Sequence, residues 1–452
     1  MTGRESRSLL LVKNTLAVFT TKVILIIIKL TIGVLTARVL GPEGKGIFVL
    51  ALQMPGILAT LSNLSIGEAL IYNIGQGKIP RNKILGNIIF FTVAVSAIIF
   101  ISYFYLLPYL SKTLLRNIDL DILRISFLLI PLIILDYLSL STFKGFKKFK
   151  LYNVLSILSR GIFLCAIFTA LIILGTGVKG AVSAYVLVFF VSILAFIGIL
   201  FILCEKRISF SWKGLRSLVI YGFAVHIAVV LSELEYRFDV FILNYFLTPA
   251  HVGIYSVGVT VAHLLWYISN SVNTVLFPEI SSVSQSEAAE FLPGICRNVL
   301  FLCGLAGLFI VTTGYFLIEL LYGTKFILAY SVFLILLPGL MMDAIFRTLS
   351  SYFKGTGRPF LVSRVIAVTL CLNLSLNFIL IPILGIYGAA ISAAISYSLN
   401  GIILLIYFRR DREVKLSEFL IINRSDLAVY SKLINRPSRE AMILATDTDR
   451  DF

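Results

Sequence analysis

Acidic residues are scarce in this sequence: 23 Asp and Glu stand against 39 Lys and Arg in 452 residues, and charged residues of both signs make up only 14%. Soluble domains carry about 25%, so an ordinary water-facing surface is excluded. Histidine is limited to three and cysteine to five (Cys165, Cys204, Cys296, Cys303 and Cys371). The cysteines sit in or beside apolar runs without CxxC spacing, which suits small core residues and not disulfides or zinc ligands. No metal site and no cofactor is expected. Gly-rich phosphate loops and aromatic–basic RNA-binding motifs are missing too, and the formal charge of +16 is spread over short loops, so no nucleic-acid partner is expected. No loop is long enough to hold an extramembrane catalytic domain, which leaves an enzyme reading without a place for its chemistry.

Apolar runs fill the space. Hydrophobic residues make up 59% of the chain, and runs beyond about 18 residues, each enough to cross a bilayer, recur from end to end. Twelve spans are read at roughly 14–37, 46–74, 84–108, 121–142, 151–174, 178–203, 215–247, 249–278, 293–319, 329–352, 359–381 and 385–408. The expected fold is an all-α polytopic membrane protein with twelve transmembrane helices. The N-terminus lacks a small-residue cleavage site and leads into a full span, so it reads as uncleaved.

Lys and Arg set the orientation. The N-terminus (Arg4, Arg7, Lys13), the loops around Lys78, Lys147, Lys206 and Lys354, and the start of the tail (Arg409, Arg410, Arg412, Lys415) are basic. The opposite loops hold Arg38, Lys45, Lys112, Arg116, Lys179 and Lys325. Both termini are therefore expected in the cytoplasm, in a multi-pass protein of the plasma (inner) membrane. The acidic segment Pro278–Pro293 is the exception to this pattern. The tail from Arg409 is mixed in charge and reads as a solvated appendage, although Leu416–Leu433 has the apolar spacing of a helix lying on the inner leaflet.

Two halves of the chain match. Leu40-Gly-Pro42-Glu-Gly-Lys-Gly46-Ile47-Phe48 recurs as Leu247-Thr-Pro249-Ala-His-Val-Gly253-Ile254-Tyr255, Phe143-Lys-Gly145 as Phe353-Lys-Gly355, and Gly177-Val-Lys-Gly180-Ala181 as Gly385-Ile-Tyr-Gly388-Ala389. Three matches in order at nearly one offset, about 207, indicate a duplication. Six spans per half make the halves parallel repeats about an axis along the membrane normal. The expected division is an N-lobe 1–204 (helices 1–6), a C-lobe 205–408 (helices 7–12) and a tail 409–452.

The stretch Leu218–Leu247 is long enough to cross a bilayer yet carries His226, Glu233, Arg237 and Asn244 within roughly 20° of one helix line. A charge at mid-bilayer costs about 3 kcal/mol on insertion scales, so such residues face protein or a wet cavity. On the eighth span Ser256, Thr260, His263, Tyr267, Asn270 and Thr274 share a line. The repeat maps five of these positions onto Gln53, Gly56, Thr60, Asn63 and Gly67 of the second span. The first span carries Lys22, Lys29, Gly33 and Thr36 along one face, and Lys29 is the counterpart of Arg237. Polar faces pointing at lipid are penalised, so these four should converge. Helix-packing glue explains the small and hydroxyl residues, and a self-neutralising Glu233–Arg237 pair at i, i+4 is the plainer account of those two. The glue reading accounts poorly for Lys22, Lys29, Arg237 and His226, because no equal number of carboxylates shares their faces and Glu233 and Glu68 are the only obvious partners. The candidate substrate path is Lys22, Lys29, Gln53, Asn63, Glu68, His226, Glu233, Arg237, His263 and Asn270. Asp136, Asp239, Asp343 and Arg347 are candidates for coupling to H+ or Na+, although Asp136 and the Asp343/Arg347 pair also suit structural ion pairing.

The motif Leu40–Phe48, then Tyr221-Gly222, Asp239, Phe246–Ser256, Lys354-Gly-Thr-Gly-Arg-Pro359, Asn373, Asn377 and Ile381–Ala390, resembles the oligosaccharide flippases of polysaccharide biosynthesis. They belong to the multidrug/oligosaccharidyl-lipid/polysaccharide exporter superfamily. The resemblance covers about residues 8–408. It implies two six-helix lobes in a V around a central cavity lined by helices one, two, seven and eight. It also implies flipping of a polyprenyl-pyrophosphate-linked oligosaccharide from the cytoplasmic to the outer leaflet by alternating access. The partners to expect are the lipid-linked glycan, membrane lipids, a coupling ion, and a glycan polymerase or glycosyltransferases. The sequence departs from the family pattern where Phe223-Ala224 replaces a proline soon after Tyr221-Gly222.

The competing reading within the superfamily is a cation-coupled multidrug antiporter. Such exporters carry cations and favour carboxylates, whereas Lys22, Lys29 and Arg237 suit an anionic pyrophosphate. A membrane-embedded glycan polymerase or glycosyltransferase calls for a large outer loop or an acidic metal-binding motif, and a purely structural scaffold leaves the four polar faces unexplained.

Overall fold

A computed structural model describes residues 3–412 and 414–420. The proposed inner-leaflet helix Leu416–Leu433 therefore lies mostly outside the described residues, as do the side chains of Arg4, Arg7, Lys13 and Thr274. Among the described residues every regular element is a helix. In order come α1 (Gly3–Ser62), α2 (Ile66–Gly75), α3 (Arg81–Leu110), α4 (Leu120–Phe127), α5 (Leu129–Gly145), α6 (Phe149–Phe168), α7 (Gly177–Leu203), α8 (Trp212–Arg237) and α9 (Asp239–Phe246). They are followed by α10 (Pro249–Ala262), α11 (Leu264–Ser282), α12 (Gln285–Tyr322), α13 (Leu328–Gly355), α14 (Pro359–Leu384), α15 (Ile386–Arg412) and the short α16 (Ser417–Leu420).

Among the described residues ten helices are long and apolar enough to cross a membrane, and eleven if the bent pair Trp212–Phe223 and Val225–Phe246 is one crossing. The outward side chains agree: Phe104 and Tyr105 are each 75% exposed and Ile383 72%. That much open hydrocarbon is stable in lipid and aggregating in water.

Two breaks shape the spans that matter most. α1 is interrupted at Gly41, with φ 68 and ψ −177, ahead of Pro42. The chain folds back there: the Lys45 ammonium reaches the Gly33 carbonyl at 3.4 Å and the Thr36 hydroxyl at 2.7 Å. In a straight helix, twelve residues would separate 33 from 45 by about 18 Å. The second break follows Ser62, where Leu64 and Ser65 take positive φ before α2 resumes. The 215–247 span, expected as one helix, is bent by 53° near residue 224 and interrupted again between α8 and α9. The bend forms without the proline of the family pattern. It falls beside Gly222, where a side chain would collide with the Leu64 carbonyl, so close packing takes the place of ring geometry.

The described residues form two compact units: Met1–Val261 with Thr313–Leu336 and Ile366–Ala393, and Ala262–Thr312 with Leu337–Val365 and Ala394–Phe452. In the first, α1 lies against α6 and α7, and α2 lies along α5 and α8. Ala37, Val257, Ile318, Tyr322, Phe326 and Ala329 form a buried cluster. In the second, Val299, Cys303 and Ala344 pack together. Gly339 and Gly401 lie directly on the backbones of Ala394 and Met342, the small-residue contact that lets membrane helices approach. Phe408 packs edge-on against both Tyr352 and Phe419. Arg297 donates to the Glu418 carbonyl at 2.9 Å and ties the first residues of the tail to this unit.

Candidate functional site

In the first unit the charged stripe gathers around Arg237, at the C-terminal end of α8. Its guanidinium meets the Glu233 carboxylate at 2.9 Å and donates to the Gln53 side-chain carbonyl at 3.0 Å. Lys29 is near enough for its charge to act on Arg237, and Lys45 near enough to act on Lys29. Arg237 is thus bonded to one carboxylate and feels a second positive charge from Lys29. The Arg237 side chain remains 46% exposed against 19% for Glu233, so the guanidinium is the open member of the pair and retains donors for a ligand. Lys22 and Lys29 are exposed as well.

The other path candidates of this unit, and Asn244, are hydrogen-bonded within the protein. His226 is buried, with Nε2 2.9 Å from the Leu61 carbonyl and Nδ1 3.2 Å from the Ser65 hydroxyl. It fastens the break after Ser62 to α8. Asn63 accepts from the Ser65 amide at 2.7 Å and shapes the same turn. Glu68 accepts from the Tyr137 hydroxyl of α5. Asn244 binds the Leu114 and Arg116 carbonyls at 2.9 and 3.1 Å. A line drawn on an ideal helix ran through His226, Glu233, Arg237 and Asn244, and the break after Arg237 sets Asn244 apart from the other three.

Among the coupling candidates, Asp239 is buried and accepts from the equally buried Tyr255 hydroxyl. Asp136 of α5 pairs with Arg160 of α6 at 3.2 Å, and the guanidinium lies 4.8 Å from the centre of the Phe189 ring.

The second unit holds its own cluster. Arg347 donates to Asp343 at 2.6 Å and to the Asn270 side chain at 3.3 Å, and it sits 4.1 Å from the centre of the Trp266 ring. His263 stacks on the same Trp266 ring, at 3.6 Å and 16°. The structure therefore brings His263, Asn270, Asp343 and Arg347 together. Sequence reasoning missed Trp266, although its spacing of three from His263 placed it within one turn. It also missed Tyr255, an aromatic in an aromatic-rich chain with nothing to mark it as a partner of Asp239.

These features define a multi-pass membrane protein with polar and charged groups paired inside its apolar helices, the construction of a transporter. The fold is that of the superfamily suggested by the motifs. The solved structure described as "Lipid II flippase MurJ, inward closed conformation" matches with a TM-score of 0.74 at 17% identity, over 94% of this chain and 93% of that one. An inward-facing multidrug-resistance MATE transporter of the MOP superfamily matches with a TM-score of 0.69 at 16% identity, over 85% and 93%. In sequence, the "Probable low-salt glycan biosynthesis flippase Agl15" of Haloferax volcanii is 24% identical over 378 residues, covering 81% of this chain and 77% of the relative. The "Putative O-antigen transporter" of Shigella flexneri is 22% identical over 389 residues, covering 81% and 90%. The polysaccharide biosynthesis protein family model matches residues 11–284, and the chain belongs to that family.

Proposed function

We propose that this chain flips a polyprenyl-pyrophosphate-linked oligosaccharide from the cytoplasmic to the outer leaflet of the plasma membrane by alternating access, for surface polysaccharide biosynthesis. Counting Thr20–Ser62 as two crossings, because it folds back at Gly41, and the bent pair as one gives twelve spans. On this reading they form parallel repeats, 1–204 and 205–408, around a central cavity with both termini cytoplasmic. The observation that carries the reading is the Arg237 grip on Gln53 and Glu233 beside Lys29. A half-open guanidinium with a lysine in range suits a pyrophosphate, since Arg binds phosphate oxygens bidentately and Lys serves as a point charge. Glu233 takes Arg237 back when the anion leaves. The isoprenoid tail stays in lipid while the head group crosses. Asp136, Asp239 and the Asp343/Arg347 pair remain the groups through which H+ or Na+ would couple, and a glycan polymerase or glycosyltransferases are the partners this role calls for.

The test is complementation of a strain lacking its own flippase. Arg237→Ala, Lys29→Ala and Lys22→Ala should accumulate in the membrane and lose surface glycan. Normal export by all three ends the cationic-site reading. Failure of all three to accumulate makes Glu233–Arg237 a permanent structural pair.

A further inference from the structure

Two arginines read from sequence as loop charges do something more specific. Arg38 stands at the end of the first arm of α1. Its Nε donates to the Leu321 carbonyl at 2.9 Å, and its Nη2 reaches the Leu320 and Glu319 carbonyls. These carbonyls end α12 and carry its negative dipole end, the Glu319 carbonyl also accepting from the Gly323 amide at 2.9 Å. Arg116 lies in the turn after α3. Its Nε donates to the Asn244 carbonyl at 3.1 Å and its Nη2 to the Leu247 carbonyl at 2.7 Å, at the end of α9. All four chain segments belong to the same compact unit.

The repeat relates these two contacts. The offset of 207 carries Leu40, beside Arg38, to Leu247, the residue Arg116 grips, and carries Arg116 to Gly323, the residue after the α12 end that Arg38 grips. Each arginine comes from the first half of the chain and holds a helix terminus of the second. Between them lies a reciprocal crossing. A side chain at Gly46 would strike the Pro249 carbonyl, and one at Gly253 would strike the Pro42 carbonyl. The same offset takes Gly46 to Gly253 and Pro42 to Pro249. The conserved-offset motif is thus the point where the repeats touch themselves.

We propose that Arg38 and Arg116 are paired clasps of an outer gate, holding the two repeats shut at the end with few Lys and Arg, and that both must release for the outer leaflet to be reached. This rests on the alternating-access reading above. Guanidiniums held by uncharged carbonyls at an exposed rim suit that duty, because water can replace each carbonyl as the helices part.

The test needs no substrate. A cysteine at Thr260, two turns of α10 beyond Gly253 and about 10 Å further along the helix, is placed in a background with the five native cysteines replaced. Its reaction with a membrane-impermeant maleimide is timed in intact cells and in inverted vesicles. Each clasp shifts the closed population about fivefold, so Arg38→Ala with Arg116→Ala should speed labelling in cells roughly 25-fold. Arg38→Lys with Arg116→Lys should fall between, since a lysine cannot fork across two carbonyls, and this pair serves if the alanine pair does not accumulate. Unchanged labelling in cells, or an increase confined to inverted vesicles, overturns the outer gate. Glycan export in the same strains separates the two proposals. Faster labelling with Arg237→Ala still exporting keeps the gate and sinks the cationic site, while unchanged labelling with export lost in Arg237→Ala does the reverse.

Discussion

Gln53 and Arg237, 184 residues apart, meet side chain to side chain at 3.0 Å. Gln53 is uncharged, so it orients the guanidinium without neutralising it. Glu233, one turn back on α8, does neutralise it. The site therefore contains a holder and a competitor for the same cation, the arrangement in which an arriving anion can displace the carboxylate while the amide keeps Arg237 aimed.

Gln53→Leu removes the holder alone. A hydrogen bond to a charged group that is half exposed contributes about 1 kcal/mol, a factor of about five. Export should fall roughly fivefold at limiting substrate, with no measurable change in thermal stability. A loss as complete as that of Arg237→Ala would show that Gln53 touches the glycan itself.

The glycines separate contact from mere flexibility. Gly46→Ala and Gly253→Ala each put a methyl group into a backbone carbonyl, whereas a Cβ at Gly56 meets nothing within 4 Å. Overpacking of this kind costs about 1–3 kcal/mol. Melting in detergent should drop for the first two and stay flat, or rise slightly from the helix preference for alanine, for Gly56→Ala. Equal effects at all three positions would mean the crossing is not a close contact in the membrane.

Much of this was legible in the sequence for definite reasons. Span positions follow from apolar run length, and the Glu233–Arg237 pair follows from i, i+4 spacing. What could not be read was direction. Asn244 shares a helical line with Arg237 only on a straight helix, and the break after Arg237 turns it onto the Leu114 and Arg116 carbonyls. His226, about three turns before Arg237, meets the Leu61 carbonyl and the Ser65 hydroxyl. Arg38 and Arg116 were counted as rim charges because a helix terminus offers carbonyls without any side chain to betray it. Gln53 was found only through the repeat, as the counterpart of Thr260.

Asp343 is fully buried and Arg347 nearly so, with a 2.6 Å contact between them. Asp343→Asn removes the bonded carboxylate charge from the guanidinium over Trp266. Breaking a buried pair on one side costs about 3–5 kcal/mol. The variant should melt many degrees lower in detergent, and Asp343→Leu with Arg347→Met should recover most of the loss. If the double variant is stable yet inactive in export, the pair serves coupling. If it is stable and active, the pair is structural.

The final prediction concerns which way the chain faces. Of the six cations in the loops assigned outside, four are engaged within the protein. Arg38 and Arg116 hold helix ends, Lys45 is buried against Thr36 and the Gly33 carbonyl, and Lys179 pairs with Asp121 at 2.8 Å. A cation used for folding says little about insertion. In the basic loops Lys78 likewise donates to the Tyr72 hydroxyl and Arg358 pairs with Asp411. Setting engaged cations aside on both sides leaves Lys112 and Lys325 against the remainder of the loops around Lys78, Lys147, Lys206 and Lys354. The asymmetry persists on that count, and it predicts both termini in the cytoplasm. In a cysteine-free background, a cysteine at Ser111, beyond the end of α3, should react with an impermeant maleimide in intact cells. One at Lys206, beyond the end of α7, should react only in inverted vesicles. The two turns follow crossings of opposite direction, so labelling of both from one side would refute the topology. Exchange of the two results would keep the topology and reverse its orientation, and the clasps of Arg38 and Arg116 would then close the cytoplasmic end.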